Sequence, residues 1–302
     1  MIALDSTRQF LTATETNSNV SIVIPAYNEE HGLPNVLKTL RAWRERGAEI
    51  LVVDDGSTDN TARVALENGA RVIRHRNNKG YGAALKAGIR AAERENVVTF
   101  DADGQFDAND IEKLVNALND CDMAVGIRPQ GAGSPTLRKP GKWLLGKTAN
   151  YLAQTEIPDL NCGFRALRAD TAKRFLNLLP NGFSFTTTLT LAMFKDGYNV
   201  AYLPIAVHPR TTGTSRVRVA DGFNTLLLII RIVALFDPLK VFLPASALLF
   251  FIGIVYLVLD SIALGRANVA SGAVILFVSA FMTFMFGILA DQVSAIRRGQ
   301  HE

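Results

Sequence analysis

Residues 97–105 read Val-Val-Thr-Phe-Asp-Ala-Asp-Gly-Gln, an apolar run that ends in two carboxylates one residue apart. The same order, a short apolar run followed at once by polar and acidic residues, occurs at 21–30 and at 49–59. Short apolar runs bounded by polar turns are typical of buried strands. Ser57 or Asp59 alone would fit a helix N-cap. Three such turns together predict a functional site at the carboxyl ends of parallel strands, where α/β proteins bind their ligands.

Six strand candidates alternate with six helix candidates before residue 209. The strands are predicted at Ser21–Pro25, Glu49–Asp54, Arg71–His75, Val97–Asp101, Met123–Ile127 and Val200–Ile205. The helices are predicted at Glu29–Arg46, Asp59–Asn68, Gly82–Arg94, Asn109–Asn119, Ala169–Leu178 and Thr186–Asp196. This alternation predicts an α/β fold with a mostly parallel sheet and helices on both faces. We expect a catalytic domain over residues 20–220, after a polar tail at 1–19.

The composition excludes several protein classes. Of 302 residues, 48% are hydrophobic and 20% are charged, which is not the composition of a disordered chain. Cys121 and Cys162 do not make a disulfide framework, and the four histidines contain no ligand-like pair that would indicate zinc. The net charge of +4 favours anionic partners such as phosphates, nucleotides or acidic lipid.

The C-terminal part is apolar enough to enter a membrane. Residues 241–259 and 269–290 carry no charge, and spanning a bilayer takes roughly 20 apolar residues. A pair of buried core helices is the alternative reading. A hairpin with Lys240, Arg297 and Arg298 at its ends predicts an integral protein of the cytoplasmic membrane whose catalytic domain faces the cytoplasm. Residues 221–238 are predicted to form an interfacial amphipathic helix, and residues 1–19 contain no signal peptide-like run.

Asp101, Asp103 and Gln105 are the candidate metal ligands. Hard divalent cations prefer oxygen ligands and often keep substrate phosphates in their coordination sphere. An Asp-x-Asp triplet also occurs by chance in loops, so its position after a strand carries the prediction of Mg²⁺ or Mn²⁺. The glycine-containing turn at 77–84 lacks the spacing of a dinucleotide or P-loop fingerprint.

Arginines are the candidate phosphate-binding residues. Arg128 ends a strand candidate, and Arg138 precedes an apolar segment around Trp143. Arg210 and Arg216 lie in a Gly/Ser/Thr-rich loop just before the membrane segments. A planar guanidinium binds phosphate oxygens through paired hydrogen bonds, although this loop could equally contact anionic lipid headgroups.

The motifs resemble those of family 2 glycosyltransferases. They are Ile24–Glu30, Val53–Asp59, Asn78–Gly82 and Asp101–Gln105. Cys162–Arg165 and Arg210–Arg216 are similar to the dolichyl-phosphate mannose synthase-like group, the polyprenyl-phosphate hexosyltransferases. The resemblance implies a GT-A fold followed by a two-helix transmembrane hairpin. It also implies transfer of one hexose from a nucleotide sugar of the GDP-mannose or UDP-glucose type to a dolichyl or undecaprenyl phosphate, with inversion.

The resemblance also implies roles for individual residues. The nucleotide sugar would contact Pro25, Tyr27, Glu29, Val53, Asp54, Asp55, Asp101, Ala102, Asp103 and Gln105. The acceptor phosphate would contact Arg128, Arg138, Arg210 and Arg216, of which the last is often lysine in the family. The implied catalytic residues are Asp101, Asp103, Arg128, Arg210 and Arg216. The implied partners include membrane lipid and a second copy of the chain, through the hairpin, but no nucleic acid.

Two other functions fit parts of the sequence. One is transfer to a lipid hydroxyl such as diacylglycerol, which needs a general base; Glu156 and Asp159 are the available carboxylates. The other is a membrane-anchored nucleotide-binding module without catalysis, which would not need the intact set of Asp101, Asp103 and Gln105. A phosphate acceptor is largely ionised near neutral pH, because the second pKa of a phosphate monoester is about 6. The favoured function therefore predicts that no side chain acts as an essential base.

Overall fold

A computed structural model describes residues 19–129, 146–208, 236–264 and 270–299, apart from the single positions 152 and 183. These residues form two compact units. One comprises residues 19–129 and 158–208, and the other comprises residues 146–157, 236–264 and 270–299.

The first unit is built on one seven-stranded sheet. Its strands are β1 (Val20–Ala26), β2 (Glu49–Asp54), β3 (Arg71–Arg74), β4 (Asn96–Thr99), β5 (Met123–Ile127), β6 (Arg165–Arg168) and β7 (Val200–Pro204). The strand order is β3-β2-β1-β4-β6-β5-β7. All neighbours are parallel except β6, which runs antiparallel to both β4 and β5. The predicted α/β class with a mostly parallel sheet is therefore confirmed.

Helices connect the strands. They are α1 (Leu33–Thr39), α2 (Arg41–Glu45), α3 (Thr61–Glu67), α4 (Tyr81–Ala91), α5 (Asp110–Ala117), α6 (Ala169–Phe175) and α7 (Phe185–Lys195). The six predicted strands are all present, with ends shifted by up to two residues. Because the strand β4 ends at Thr99, Asp101 lies in the turn beyond it, where its side chain is part-exposed.

One predicted element was wrong, and one strand was missed. The single helix expected at Glu29–Arg46 is two short helices, α1 and α2, that meet at Leu40. Pro34 lies in the first turn of α1, where its missing N–H costs nothing, so the helix begins there rather than at Glu29. Strand β6 was not predicted, because its four residues begin and end with arginine.

The second unit contains the two apolar helices. Helix α8 (Leu239–Leu264) includes the uncharged run 241–259, and helix α9 (Ser271–Gly299) includes residues 271–290 of the second run. Both helices are long and apolar enough to cross a membrane. They pack against each other, and their large apolar side chains are mostly exposed outward. An outward apolar surface is unlike that of a buried core helix and suits contact with lipid.

Small residues form the contact between the two membrane helices. On α9 the buried small residues recur every seven positions, and on α8 two of them have the same spacing. They are Ala273, Ala280, Gly287 and Ser294 on α9, and Ser246 and Gly253 on α8. The Phe242 side chain covers Gly287, and the Phe277 side chain covers Gly253. This row of small residues, with large ones facing it, lets the helices approach closely.

Candidate active site

The turns after β1 and β2 are joined by hydrogen bonds. The Asn28 N–H donates to Ser57 Oγ over 2.9 Å, and the Thr58 N–H donates to Asn28 Oδ1 over 2.9 Å. Asn28 has a φ of +55°, in the left-handed region that asparagine tolerates better than most residues. The register that pairs Pro25 with Val53 brings the two turns level. The Tyr27 side chain, 46% exposed, lies on the surface that the two turns form.

Asp54, the last residue of β2, holds the turn that follows this strand. The buried Asp54 accepts a hydrogen bond from the Ser57 N–H over 2.8 Å, and its second oxygen lies 3.0 Å from Arg74 Nε. In the turn after β1, the Glu29 N–H donates to Thr61 Oγ1 over 2.8 Å, which connects that turn to α3. Asp54 thus fixes the shape of the turn that carries it.

Asp55 organises the segment that leads into α4. Its Oδ1 lies 2.6 Å from His75 Nδ1 and accepts from the Lys79 N–H over 3.0 Å. Its Oδ2 accepts from the Gly80 N–H over 2.8 Å. Gly80 has a φ of +99°, a conformation that favours glycine, so the chain can turn sharply into the helix. The buried Asp55 carboxylate is therefore used in holding this turn.

The three candidate metal ligands, Asp101, Asp103 and Gln105, lie in the turn after β4. Asp101 Oδ1 accepts a hydrogen bond from the Tyr81 hydroxyl over 2.9 Å. Asp103 Oδ1 accepts from the Gln105 N–H over 3.1 Å, and the Gln105 carbonyl accepts from the His208 N–H over 2.8 Å. Ala102 is buried between the two aspartates.

These donors fit a divalent cation that is shared with a substrate. Within the described ranges, no group of three or more His, Cys, Asp or Glu side chains is placed to hold a metal by itself. Mg²⁺ is typically bound by one or two carboxylates together with substrate phosphates and water. Two part-exposed carboxylates in a turn beyond a strand match that donor set, with the remaining ligands coming from the substrate.

Arg128 and Asp159 form a bidentate ion pair. Arg128 Nε lies 2.8 Å from Asp159 Oδ2, and Nη2 lies 2.9 Å from Oδ1. The hydrogen bond to Asp159 raises the pKa of Arg128. Burial acts to raise the pKa of Asp159, but hydrogen bonds and charge from Arg128 outweigh it and lower that pKa. Asp159 is therefore ionised and paired at neutral pH, which suits it poorly to the role of a general base.

Arg165 is a buried residue of this region that the prediction of site residues did not include. It is 1% exposed, and its guanidinium donates to the Cys162 carbonyl over 2.7 Å, to Thr190 Oγ1 over 2.7 Å and to the Leu160 carbonyl over 3.1 Å. Burial lowers the pKa of Arg165. The adjacent Cys162 thiol has its pKa raised to about 11 by burial, so it is protonated and unreactive.

The structure thus brings most of the predicted residues to the carboxyl edge of the sheet. The turns after β1, β2 and β4 carry Tyr27, Glu29, Asp55, Asp101, Ala102, Asp103 and Gln105, and Asp54 ends β2. Arg128 follows β5, at the end where that strand pairs with parallel β7. The predicted residues Arg138, Arg210 and Arg216 lie outside the described residues, as do the tail at 1–18 and most of the predicted interfacial helix.

The family model of Glycosyl transferase family 2 matches residues 21–176, which include all three acidic turns and the Arg128–Asp159 pair. The chain belongs to this family. A second family model, the GtrB C-terminal hairpin, matches residues 237–296 of this family 2 glycosyltransferase. The predicted enzyme class is therefore confirmed, and the matched hairpin together with two apolar helices identifies a membrane protein.

Two relatives of this glycosyltransferase have names that refer to a polyprenyl phosphate. It is 31% identical to a dolichyl-phosphate hexose transferase of Haloferax volcanii over 68% of this chain and 90% of the relative. It is 30% identical to an undecaprenyl-phosphate mannosyltransferase of Micrococcus luteus over 66% of this chain and 87% of the relative.

A solved structure confirms the predicted GT-A-like fold. Glucosyl-3-phosphoglycerate synthase of Mycobacterium tuberculosis, crystallised with Mn²⁺, uridine diphosphate and phosphoglyceric acid, superposes with a TM-score of 0.57 at 22% identity. The match covers 74% of this chain and 80% of that one.

Proposed function

We propose that this enzyme transfers one hexose from a nucleotide sugar to a polyprenyl phosphate, with inversion at the anomeric carbon. One observation carries the proposal: the carboxylate-bearing site and a GtrB-type membrane hairpin occur in one chain. A membrane hairpin suits an acceptor that is itself held in the bilayer. The names of the Haloferax and Micrococcus relatives support a polyprenyl phosphate as that acceptor.

The donor site is the surface formed by the turns after β1, β2 and β4. Tyr27 and Glu29 would contact the nucleoside together with Pro25 and Val53, which underlie the two turns. Asp54 and Asp55 serve the same site by fixing the turns through the backbone hydrogen bonds already described. Ala102 would lie beside the sugar diphosphate.

Asp101, Asp103 and Gln105 would hold Mg²⁺ or Mn²⁺ with the donor diphosphate. The structural relative that was crystallised with Mn²⁺ and uridine diphosphate supports this assignment. When bound, the cation would neutralise negative charge on the diphosphate as the sugar leaves. The two carboxylates would thereby hold the leaving group in place.

The acceptor phosphate would be placed by Arg128, Arg138, Arg210 and Arg216. Its oxygens are largely ionised near neutral pH, because the second pKa of a phosphate monoester is about 6. The nucleophile then needs orientation and loss of hydration rather than a base. The pairing of Asp159 with Arg128 supports this, because an ionised and hydrogen-bonded carboxylate is a weak proton acceptor.

The membrane arrangement follows from the charges near the helix ends. Lys240, Arg297 and Arg298 support a cytoplasmic membrane protein with its catalytic domain in the cytoplasm. Protease added to inverted membrane vesicles is expected to cleave the catalytic domain. Full protection of that domain would refute the orientation. The homo-oligomer through the hairpin stays a prediction, which cross-linking in native membranes tests.

Transfer itself is tested with the full chain in detergent. GDP-mannose, UDP-glucose and related donors are offered with undecaprenyl or dolichyl phosphate, and the product is analysed for anomeric configuration. Asp103→Asn is expected to lower kcat at least about 100-fold, since a metal contributes several kcal/mol to charge stabilisation. Asp120→Asn, which changes an exposed aspartate in the turn after α5, is the matched control. Transfer to diacylglycerol instead of the phosphate, or full activity in EDTA, would contradict the proposal.

A further inference from the structure

The Tyr81 hydroxyl reaches the Asp101 carboxylate from the start of α4. The hydroxyl donates to Asp101 Oδ1 over 2.9 Å, and the Tyr81 side chain is part-buried. Its backbone position is set by the preceding residue, since the Gly80 N–H binds Asp55 Oδ2 over 2.8 Å. A series of direct contacts therefore connects the turn after β2 with the turn after β4.

Gly163 approaches the same carboxylate from the segment before β6. A Cβ at this position would lie 2.7 Å from the Tyr81 hydroxyl and 2.8 Å from Asp101 Oδ2. Both distances are well inside van der Waals contact, so any larger side chain would displace one of these groups. The segment is itself fixed, because the Gly163 carbonyl accepts from Thr99 Oγ1 and the Cys162 carbonyl accepts from buried Arg165.

A carboxylate in a turn is rotationally loose unless something fixes it. The final torsion of an aspartate is broad, so its two oxygens sweep a range of orientations. A hydrogen bond to one oxygen, with backbone packed against the other, restricts that torsion. Groups that orient metal ligands in this way typically change metal affinity by roughly 10–100-fold when they are removed.

We propose that Tyr81 is a positioning residue that holds the Asp101 carboxylate in the orientation that receives the metal–diphosphate group. This inference rests on the proposed function, because that function assigns the metal to Asp101 and Asp103. Tyr81 does not touch the reacting atoms. Its hydroxyl fixes one carboxylate oxygen, and the space left by Gly163 accommodates the other.

The direct test is Mn²⁺ binding to Tyr81→Phe, which removes only the hydroxyl. Free Mn²⁺ is measured by electron paramagnetic resonance on the full chain in detergent, with saturating UDP or GDP. The Mn²⁺ Kd is expected to rise about 10-fold or more. Raising the Mn²⁺ concentration should then restore much of kcat, and the melting temperature should stay near that of the wild type. Tyr198→Phe, at a hydroxyl beside Arg174 rather than Asp101, should leave the Mn²⁺ Kd unchanged.

A second variant keeps the test decisive if Tyr81→Phe is poorly folded. Gly163→Ala places a methyl group against the same carboxylate and should weaken Mn²⁺ binding as well. Because both changes act through Asp101, the double variant should weaken binding by less than the product of the two single effects. Effects that multiply would contradict a shared target.

The outcomes separate this inference from the proposed function. If the wild type transfers hexose to polyprenyl phosphate and Tyr81→Phe leaves the Mn²⁺ Kd unchanged, the positioning role alone is overturned. Weakened Mn²⁺ binding in the variant, with no transfer to polyprenyl phosphate by the wild type, would support the positioning role and overturn the function. Absence of nucleotide-dependent Mn²⁺ binding in the wild type would overturn both.

Discussion

Replacing Arg165 by Met should destabilise the first unit by about 2–4 kcal/mol. The change removes the donor of three buried hydrogen bonds, to Cys162, Leu160 and Thr190. A buried acceptor left without a partner costs about 1–3 kcal/mol. This loss is partly offset, because burying the guanidinium cation costs the wild type several kcal/mol and the Met variant does not bury a charge. Met matches the unbranched stem, so cavity formation adds little.

Urea titration of the full chain, followed by tryptophan fluorescence, measures this loss. The titration uses a Trp143→Phe background, in which the remaining tryptophan, Trp43, is buried in the first unit and reports on its unfolding. Arg168→Met is the matched control on the same strand, because the Arg168 side chain is exposed and donates only to the exposed Glu95 carboxylate and, over 3.2 Å, to the Leu118 carbonyl. Its effect should stay within about 0.5–1 kcal/mol. An Arg165→Met variant as stable as that control would refute the assignment of Arg165 as the support for the 160–163 segment.

Three further perturbations have defined outcomes. Asp55→Asn presents an amide N–H to one of two backbone donors, so stability should fall by about 1–3 kcal/mol and hydrogen exchange at Gly80 should accelerate. Burial acts to raise the pKa of Glu49, but hydrogen bonds outweigh it and hold that pKa below the ordinary 4.5. The stability that Glu49 supplies is therefore complete above about pH 4.5 and is lost as pH falls through the lower pKa of the folded state. In urea titrations, Glu49→Gln should flatten the fall of the unfolding free energy at acid pH. An unchanged fall would contradict this role of Glu49. Gly287→Leu meets Phe242 and should lower the melting temperature of the detergent-solubilised chain; a melting temperature equal to the wild type would show that the contact tolerates bulk.

The carboxylates of the site could be predicted from sequence because each follows an apolar run. Parallel strands place their carboxyl ends at one edge, so recognising three strands is enough to bring Asp54, Asp55, Asp101 and Asp103 to that edge. The strand β6 could not be recognised in this way. Arginines are not typical of a buried strand. Arg165 can be buried because it donates to acceptors at 160, 162 and 190, which only the folded chain brings together.

The hydrogen-bond and ion-pair partners of these carboxylates could not be predicted from the sequence pattern. Arg128 and Asp159 are 31 residues apart, and Tyr81 and Asp101 are 20 apart, with no periodicity that relates them. Sequence motifs show which residue types are present near a strand end. Which oxygen receives which donor depends on side-chain directions that are set by packing between distant segments. Packing of this kind pairs Asp159, a candidate base by its sequence position, with Arg128.

The seven-residue spacing of small residues along α9 restricts how the hairpin can change in length. A period of seven is slightly shorter than two full turns of a straight helix, so the spacing predicts that the two helices wind around each other with a left-handed twist. One inserted residue rotates everything beyond it by about 100°, which carries the small residues from the partner helix to the lipid. Single side chains facing lipid can vary freely, whereas insertions and deletions between Ala273 and Ser294 preserve the contact only when they come close to whole helical turns, as seven or eleven residues do.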